Sequence, residues 1–244
     1  MLVSFSVSNF RSIKNEVTLS MEAAAYDDLE DYYIVKPDGK TRLLKLGIIY
    51  GQNGSGKSNL LAAIDFLRSI VTNPLEKKTD QFSYKPFQFD PALQNGTTTF
   101  TIAFFANATK YEYHVELDRN AIHKEELYYY SPNRAKVFNR TTDLKKKLSS
   151  ITFGSKIKIS AEDKKSLENN TLWNNTTLGG FLKTNIDFPV LSDVSEWFTA
   201  DVMSLINSKT DLLKYVSTRI ESGYISRNGM IEILSKADFN ISNI

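Results

Sequence analysis

The chain has 244 residues, enough for one large domain or two lobes with a core in each. Hydrophobic residues make up 41% and charged residues 24%, a globular balance that excludes wholesale disorder. A net charge of +2 argues neither for nor against nucleic acid, and zero cysteines exclude disulfides, thiolate metal sites and a cysteine nucleophile.

Met1 to Val7 carries neither the basic start nor the apolar run of a signal peptide, and no stretch approaches the ~18 apolar residues of a membrane span. A cytoplasmic protein without a membrane partner is expected. The sequons Asn107-Ala-Thr109 and Asn175-Thr-Thr177 then read as chance products of composition.

Alternating apolar residues predict strands over Leu2 to Val7 and Val17 to Met21, joined by the polar connection Asn9 to Asn15. After an acidic stretch, Asp27 to Asp31, the run Pro37-Asp-Gly-Lys40 predicts a turn. Leu44 to Tyr50 then reads as a buried strand of a parallel sheet. Leu60, Leu61, Ile64, Leu67, Ile70 and Val71 predict a helix from Lys57 to about Thr72, closed before Asn73-Pro74. Pro86 to Phe89, Thr97 to Phe105, Lys110 to Leu117, Ile122 to Tyr130 and Lys136 to Phe138 predict an antiparallel meander. Beyond Asp143 the period becomes helical, with candidates at Ala161 to Glu168, Thr177 to Thr184, Asp193 to Ile206, Asp211 to Ser222 and Gly229 to Lys236. Trp197, Phe198, Val202, Leu205 and Ile206 form an apolar stripe read as core, while Lys145 to Lys147 and Lys164-Lys165 read as solvated faces. The predicted organisation is a segment 1–142 with the phosphate loop and β subdomain, followed by a helical lobe 143–244.

Between the predicted strand and helix lies Gly51-Gln52-Asn53-Gly54-Ser55-Gly56-Lys57-Ser58, a full match to G-x-x-x-x-G-K-[ST], the Walker A loop. Glycines let backbone N–H groups close around a triphosphate, and a helix N-terminus adds unpaired donors and partial positive charge. Lys57 can reach the β/γ-phosphates and the Ser58 hydroxyl can ligate Mg²⁺, so ATP with Mg²⁺ is the predicted ligand.

Phosphoryl transfer also needs an acidic residue at the end of another apolar strand, and no such run is present. Asp65 follows an apolar stretch but falls inside the predicted helix. Leu178-Gly179-Gly180 lacks the serine of an L-S-G-G signature, and Ser208-Lys-Thr-Asp211 is a degenerate guanine-reading box with no D-x-x-G beside it. His114 and His123 fall on neighbouring predicted strands, where half-exposed strand residues are a better reading than a metal pair. A nucleotide-binding module that never hydrolyses and a P-loop kinase remain the alternatives to an ATPase.

Val3-Ser-Phe-Ser-Val-Ser-Asn-Phe-Arg-Ser-Ile13, followed by Gly51-Gln-Asn-Gly-Ser-Gly-Lys-Ser-Asn59, resembles the N-terminal half of bacterial AAA-family ATPases with an ABC-like head. These are similar to the structural-maintenance-of-chromosomes, RecF and overcoming-lysogenization-defect ATPases. Pro86-Phe-Gln-Phe-Asp90, Tyr111 to Leu117, Glu125-Glu-Leu-Tyr128 and Lys236-Ala-Asp-Phe239 follow the same layout. The resemblance implies an α/β P-loop half-core with an antiparallel meander and a C-terminal helical lobe. It implies that Phe10, Arg11 and Ser12 lie near the base and sugar, that Asn59 continues the Walker A helix, and that Gln88 is a candidate for the family's glutamine loop. Signature motif, Walker B, D-loop and switch histidine are expected after Ile244. In such proteins two heads sandwich two ATP molecules, and closure drives a coupled nuclease, toxin or DNA clamp, often in phage defence. A homo-oligomer through the nucleotide face and an effector partner are thereby implied.

Overall fold

In β1 (Leu2–Ser8) the alternation of side chains turns Val3, Phe5 and Val7 into the core and leaves Ser4, Ser6 and Ser8 on the other face. The computed structural model describes residues 1–25 and 29–237, so Asp27 and Asp28 of the acidic stretch, and Asp238 and Phe239 of the last resembling segment, lie outside the described residues. β2 (Val17–Ser20) pairs antiparallel with β1. After the short helix α1 (Glu30–Tyr33), β3 (Ile34–Val35) and β4 (Leu43–Leu44) pair as a separate two-stranded sheet. The predicted turn at Pro37 to Lys40 joins them: Asp38 Oδ1 accepts from the N–H groups of Lys40 and Thr41, and Gly39 takes a φ of 76°. The Thr41 N–H first of all holds the Asp38 carboxyl down at about 2.

Helix α2 (Lys57–Thr72) has the predicted bounds and buries Leu60, Leu67, Ile70 and Val71 together with Ala62 and Ala63, whereas Leu61 is exposed. Pro86 to Phe89 is not a strand. It is an extended connection into α3 (Pro91–Gln94), whose first turn Asp90 caps through the Ala92 N–H. The meander follows as β5 (Thr98–Ala106), β6 (Thr109–Leu117), β7 (Ile122–Tyr130), β8 (Arg134–Asp143) and β9 (Leu148–Phe153). It runs further than its sequence pattern, because β8 extends past Phe138 and β9 pairs with it from Phe138 to Asp143. β1 joins the same sheet through β5, giving the order β2-β1-β5-β6-β7-β8-β9 with every pair antiparallel.

Helix α4 (Ala161–Asn170) is capped by the Ser160 hydroxyl and α5 (Thr177–Phe181) by that of Thr176. The helix predicted from Asp193 to Ile206 is instead α6 (Pro189–Glu196) running into one π-helical turn, Trp197–Asp201. Tertiary stacking accompanies the change of pitch. Trp197 lies flat on Phe104 at 3.9 Å, and Phe198 meets Tyr113 edge-on at 5.8 Å. Of the predicted stripe only Trp197 and Phe198 are core residues.

The chain divides into two compact units, 1–204 and 205–244. In the first, Phe66 of α2 packs at 5.7 Å from both Phe10 and Phe100, so α2 lies over the apolar side of β1 and β5. Phe5, Phe100, Ile102, Tyr113, Leu127 and Phe138 are fully buried there. The second unit holds α7 (Leu213–Glu221) and α8 (Arg227–Lys236), neither with a buried residue, and Arg219 sits over the rings of Tyr215 and Tyr224. Among the described residues the architecture is mixed α/β, with a large antiparallel sheet and eight α-helices.

Candidate functional site

The loop 51–56 delivers the chain into α2 through Gly54 and Gly56, at φ 82° and 93°, a region that a β-carbon disfavours. Gly56 is the N-cap of α2 and offers no side chain to the helix's first N–H groups, leaving those of Lys57 and Ser58 ahead of the intrahelical ladder. Lys57 Nζ folds back over the loop and donates to the carbonyls of Gly51 at 2.6 Å and Gln52 at 2.7 Å, with Ser55 Oγ at 3.4 Å. Asn53, Gly54, Ser55, Gly56, Lys57, Ser58 and Asn59 line a concavity of about 270 Å³ with Ser12. Gln52 contributes its carbonyl, which also accepts from Ser55 N–H. A cation, a helix N-terminus and a concave backbone are the chemistry that phosphate requires. Ser58 stands exposed in the first turn of α2, able to offer its hydroxyl to a Mg²⁺ held by those phosphates.

The connection after β1 is brought to this loop. Asn59 Nδ2 donates to Ser12 Oγ at 2.6 Å, and a β-carbon on Gly56 would lie 3.5 Å from the same oxygen. Arg11, at φ 52°, donates its N–H to Lys85 O and places its guanidinium 5.4 Å from the Phe10 ring. Arg11 and Ser12 line a second cavity, of about 660 Å³, with Tyr84, Lys85, Gln88, Phe89 and Arg119 among its walls. Burial pushes the Tyr84 phenol up to about 12, so it is neutral at ordinary pH.

Phe10 does not share in the site. It is fully buried against Phe66, Tyr84 and Phe100, which corrects its expected place beside the nucleotide. Asn9 is the residue that the sequence reading passed over. Nearly buried at φ 53°, it donates from Nδ2 to Leu93 O and Thr97 O, accepts from Phe87 N–H at Oδ1, and takes the Thr98 hydroxyl on its carbonyl. Asparagine tolerates the left-handed region and can bond both donors and acceptors, the signal that marks it in a polar turn.

The predicted buried strand before the loop is also corrected. Only Leu43–Leu44 is paired; the chain bends at Lys45, Leu46 to Tyr50 join no strand, and Leu46, Ile48 and Tyr50 are 63%, 78% and 91% exposed. An apolar run is buried as a central parallel strand only when neighbours flank it, and every strand pairing among the described residues is antiparallel, with none in this run beyond Leu44.

His114 and His123 do not meet. His114 Nδ1 bonds Thr101 Oγ1 and His123 Nε2 bonds Asp118 Oδ2, and the described residues contain no group of three or more potential metal-ligating His, Asp or Glu side chains. Asp65 lies within α2, and Asp90 is occupied as the α3 cap and by Lys14 at 3.0 Å. The hydrogen bond from Lys14 is the main reason that the Asp90 carboxyl lies below its usual range. Gln88 bonds its own neighbourhood, Nε2 to Pro86 O. No described helix is long and apolar enough to cross a membrane.

The loop Gly51 to Ser58 at the start of α2 is that of a P-loop nucleotide-binding domain. The family described as "AAA domain, putative AbiEii toxin, Type IV TA system" matches residues 47–217, and the chain belongs to that family. No curated protein matches the sequence.

Proposed function

We propose that this chain binds Mg²⁺·ATP, with Gly51 to Asn59 around the phosphates, Ser58 on the metal, and Arg11 and Ser12 on the ribose and base side. The observation that carries the reading is the loop itself: Lys57 folded over the carbonyls of Gly51 and Gln52 at the start of a helix capped by a left-handed glycine. Phosphate oxygens would take the ammonium from those carbonyls, exchanging neutral acceptors for anionic ones. The aromatic-walled cavity that shares Ser12 with the P-loop offers room for the rest of the nucleotide.

We further infer that the domain acts as the Walker A half of an ABC-like head, a nucleotide-driven dimerisation switch that governs an effector. The resemblance of Asn9-Phe-Arg-Ser12 and Gly51 to Asn59 to such heads supports it, as does the toxin system in the family's description. The exposed apolar residues Leu46, Ile48 and Tyr50 beside the loop fit a surface that further strands or a second head would cover.

Calorimetry with Mg²⁺·ATP tests the central claim. Lys57→Ala removes the loop's cation, and hydrogen bonds to charged groups contribute about 1.5–3 kcal/mol, so affinity should fall at least about tenfold. An unchanged dissociation constant would remove Gly51 to Ser58 as the phosphate cradle.

A further inference from the structure

About 20 Å along α2 from the phosphate loop, the helix leads into a turn held from behind by two buried, oppositely charged side chains. Glu125 on β7 and Arg140 on β8 are cross-strand neighbours, both fully buried. Glu125 accepts from the Tyr113 hydroxyl at 2.6 Å, from Thr177 N–H at 2.7 Å and from the Thr177 hydroxyl at 2.9 Å. Arg140 donates to the carbonyls of Ile122 at 2.6 Å, Leu172 at 3.2 Å and Trp173 at 3.0 Å. The pair thus grips both ends of the segment 172–177, its carbonyls at one end and its amide at the other.

The side chains of the same segment grip the connection that leaves α2, and Thr176 reaches the helix's last turn. Asn175 takes both backbone groups of Leu75, its Oδ1 from the N–H and its Nδ2 to the carbonyl, each at 2.8 Å. Asn174 donates to Lys77 O and Asp80 O, and Thr176 Oγ1 lies 3.4 Å from Ile70 O while capping Gly179 N–H. Gly179 allows the approach, since a β-carbon there would stand 3.0 Å from Pro74 Cβ and 3.3 Å from Val71 O. Leu178-Gly179-Gly180 therefore has a packing role behind the P-loop helix. Asn175, with 1% exposure and its amide bonded at both oxygen and nitrogen, is closed to glycosylation in the folded chain.

We propose that Glu125 and Arg140 are positioning residues for the nucleotide site: through the segment 172–177 they set where α2 lies along its axis, and hence where its N-terminus meets phosphate. The proposal rests on ATP binding at the P-loop. A packed helix transmits an axial constraint along its length, and coupling between two sites is reciprocal. ATP must then tighten the clamp as much as the clamp tightens ATP.

Two measurements on the full chain test it, amide hydrogen exchange with and without saturating Mg²⁺·ATP, and ATP affinity of Asn175→Ala and Glu125→Gln well below their melting temperatures. The expected results are slower exchange at Leu75, Thr177 and Gly179 in wild type with ATP, and at least about fivefold weaker ATP binding in the folded variants. In Asn175→Ala the ATP-dependent protection of Thr177 should disappear. A purely structural role would lower melting temperature while leaving affinity and the wild-type exchange difference at zero change, and that result overturns the proposal. Should a variant fail to fold, the wild-type exchange difference decides alone. Loss of ATP binding by Lys57→Ala, with no effect of the clamp variants, would sustain the site and refute the coupling.

Discussion

Replacing Asn9 by alanine should cost far more than a surface turn residue normally does. The side chain makes three hydrogen bonds to backbone groups, with Leu93 O at 2.9 Å, Thr97 O at 3.1 Å and Phe87 N at 2.9 Å. Each is worth about 1 kcal/mol net, and alanine at a φ of 53° adds about 1 kcal/mol of backbone strain. The sum is about 4 kcal/mol, in the far tail of single substitutions and a large share of a domain's stability. Urea unfolding should show a midpoint lowered by that loss divided by the slope, at unchanged slope, with ATP affinity reduced as Arg11 and Ser12 lose their anchor. Asn9→Gly separates the terms, since glycine accepts the backbone conformation and should cost about 3 kcal/mol from the bonds alone. A loss below about 1 kcal/mol for Asn9→Ala would refute the argument that this turn is held by the asparagine.

Arg140→Met removes three hydrogen bonds donated by a buried guanidinium to the carbonyls of Ile122, Leu172 and Trp173, so unfolding free energy should drop by about 3 kcal/mol; denaturant titration measures it. Gly180→Ala would set a β-carbon against the Thr171 side chain and 3.1 Å from Thr171 Cα, an overpacking expected to cost about 1–3 kcal/mol by the same titration. The hydrogen bond to Asp118 raises His123 above its ordinary 6.5 despite partial burial. The folded state thus holds the proton more tightly than the unfolded chain, so this stabilisation is complete below 6.5 and is lost as pH rises through the raised value. Melting temperatures from about pH 5 to about pH 9 should fall more steeply on the alkaline side for wild type than for His123→Gln, and parallel profiles would refute the assignment.

Local chemistry makes part of this protein legible in its sequence. Gly51 to Ser58 announces itself because glycine spacing, a cation and a helix start are all local requirements, and α2 takes its predicted bounds from its own period and the Asn73-Pro74 stop. The strands from β5 to β7 fall on the aromatic and β-branched runs between turn residues, and Asn107-Ala108 turns between β5 and β6 with positive φ at both residues.

What alternation cannot carry is who lies beside whom. That β1 joins the meander through β5 depends on partners almost a hundred residues away, and β9 exists because β8 offers it an edge. Leu44 to Tyr50 reads as a buried strand from its composition, yet burial needs flanking strands, and the described chain pairs it only at its start, where Leu43–Leu44 meets β3 and Leu43 bridges Glu22. The helix through Trp197 changes pitch where its indole meets Phe104, a contact no window of sequence contains. Asn9, Glu125 and Arg140 look like ordinary polar residues along the chain; only the fold, by removing water from around them, makes their hydrogen-bond partners decisive.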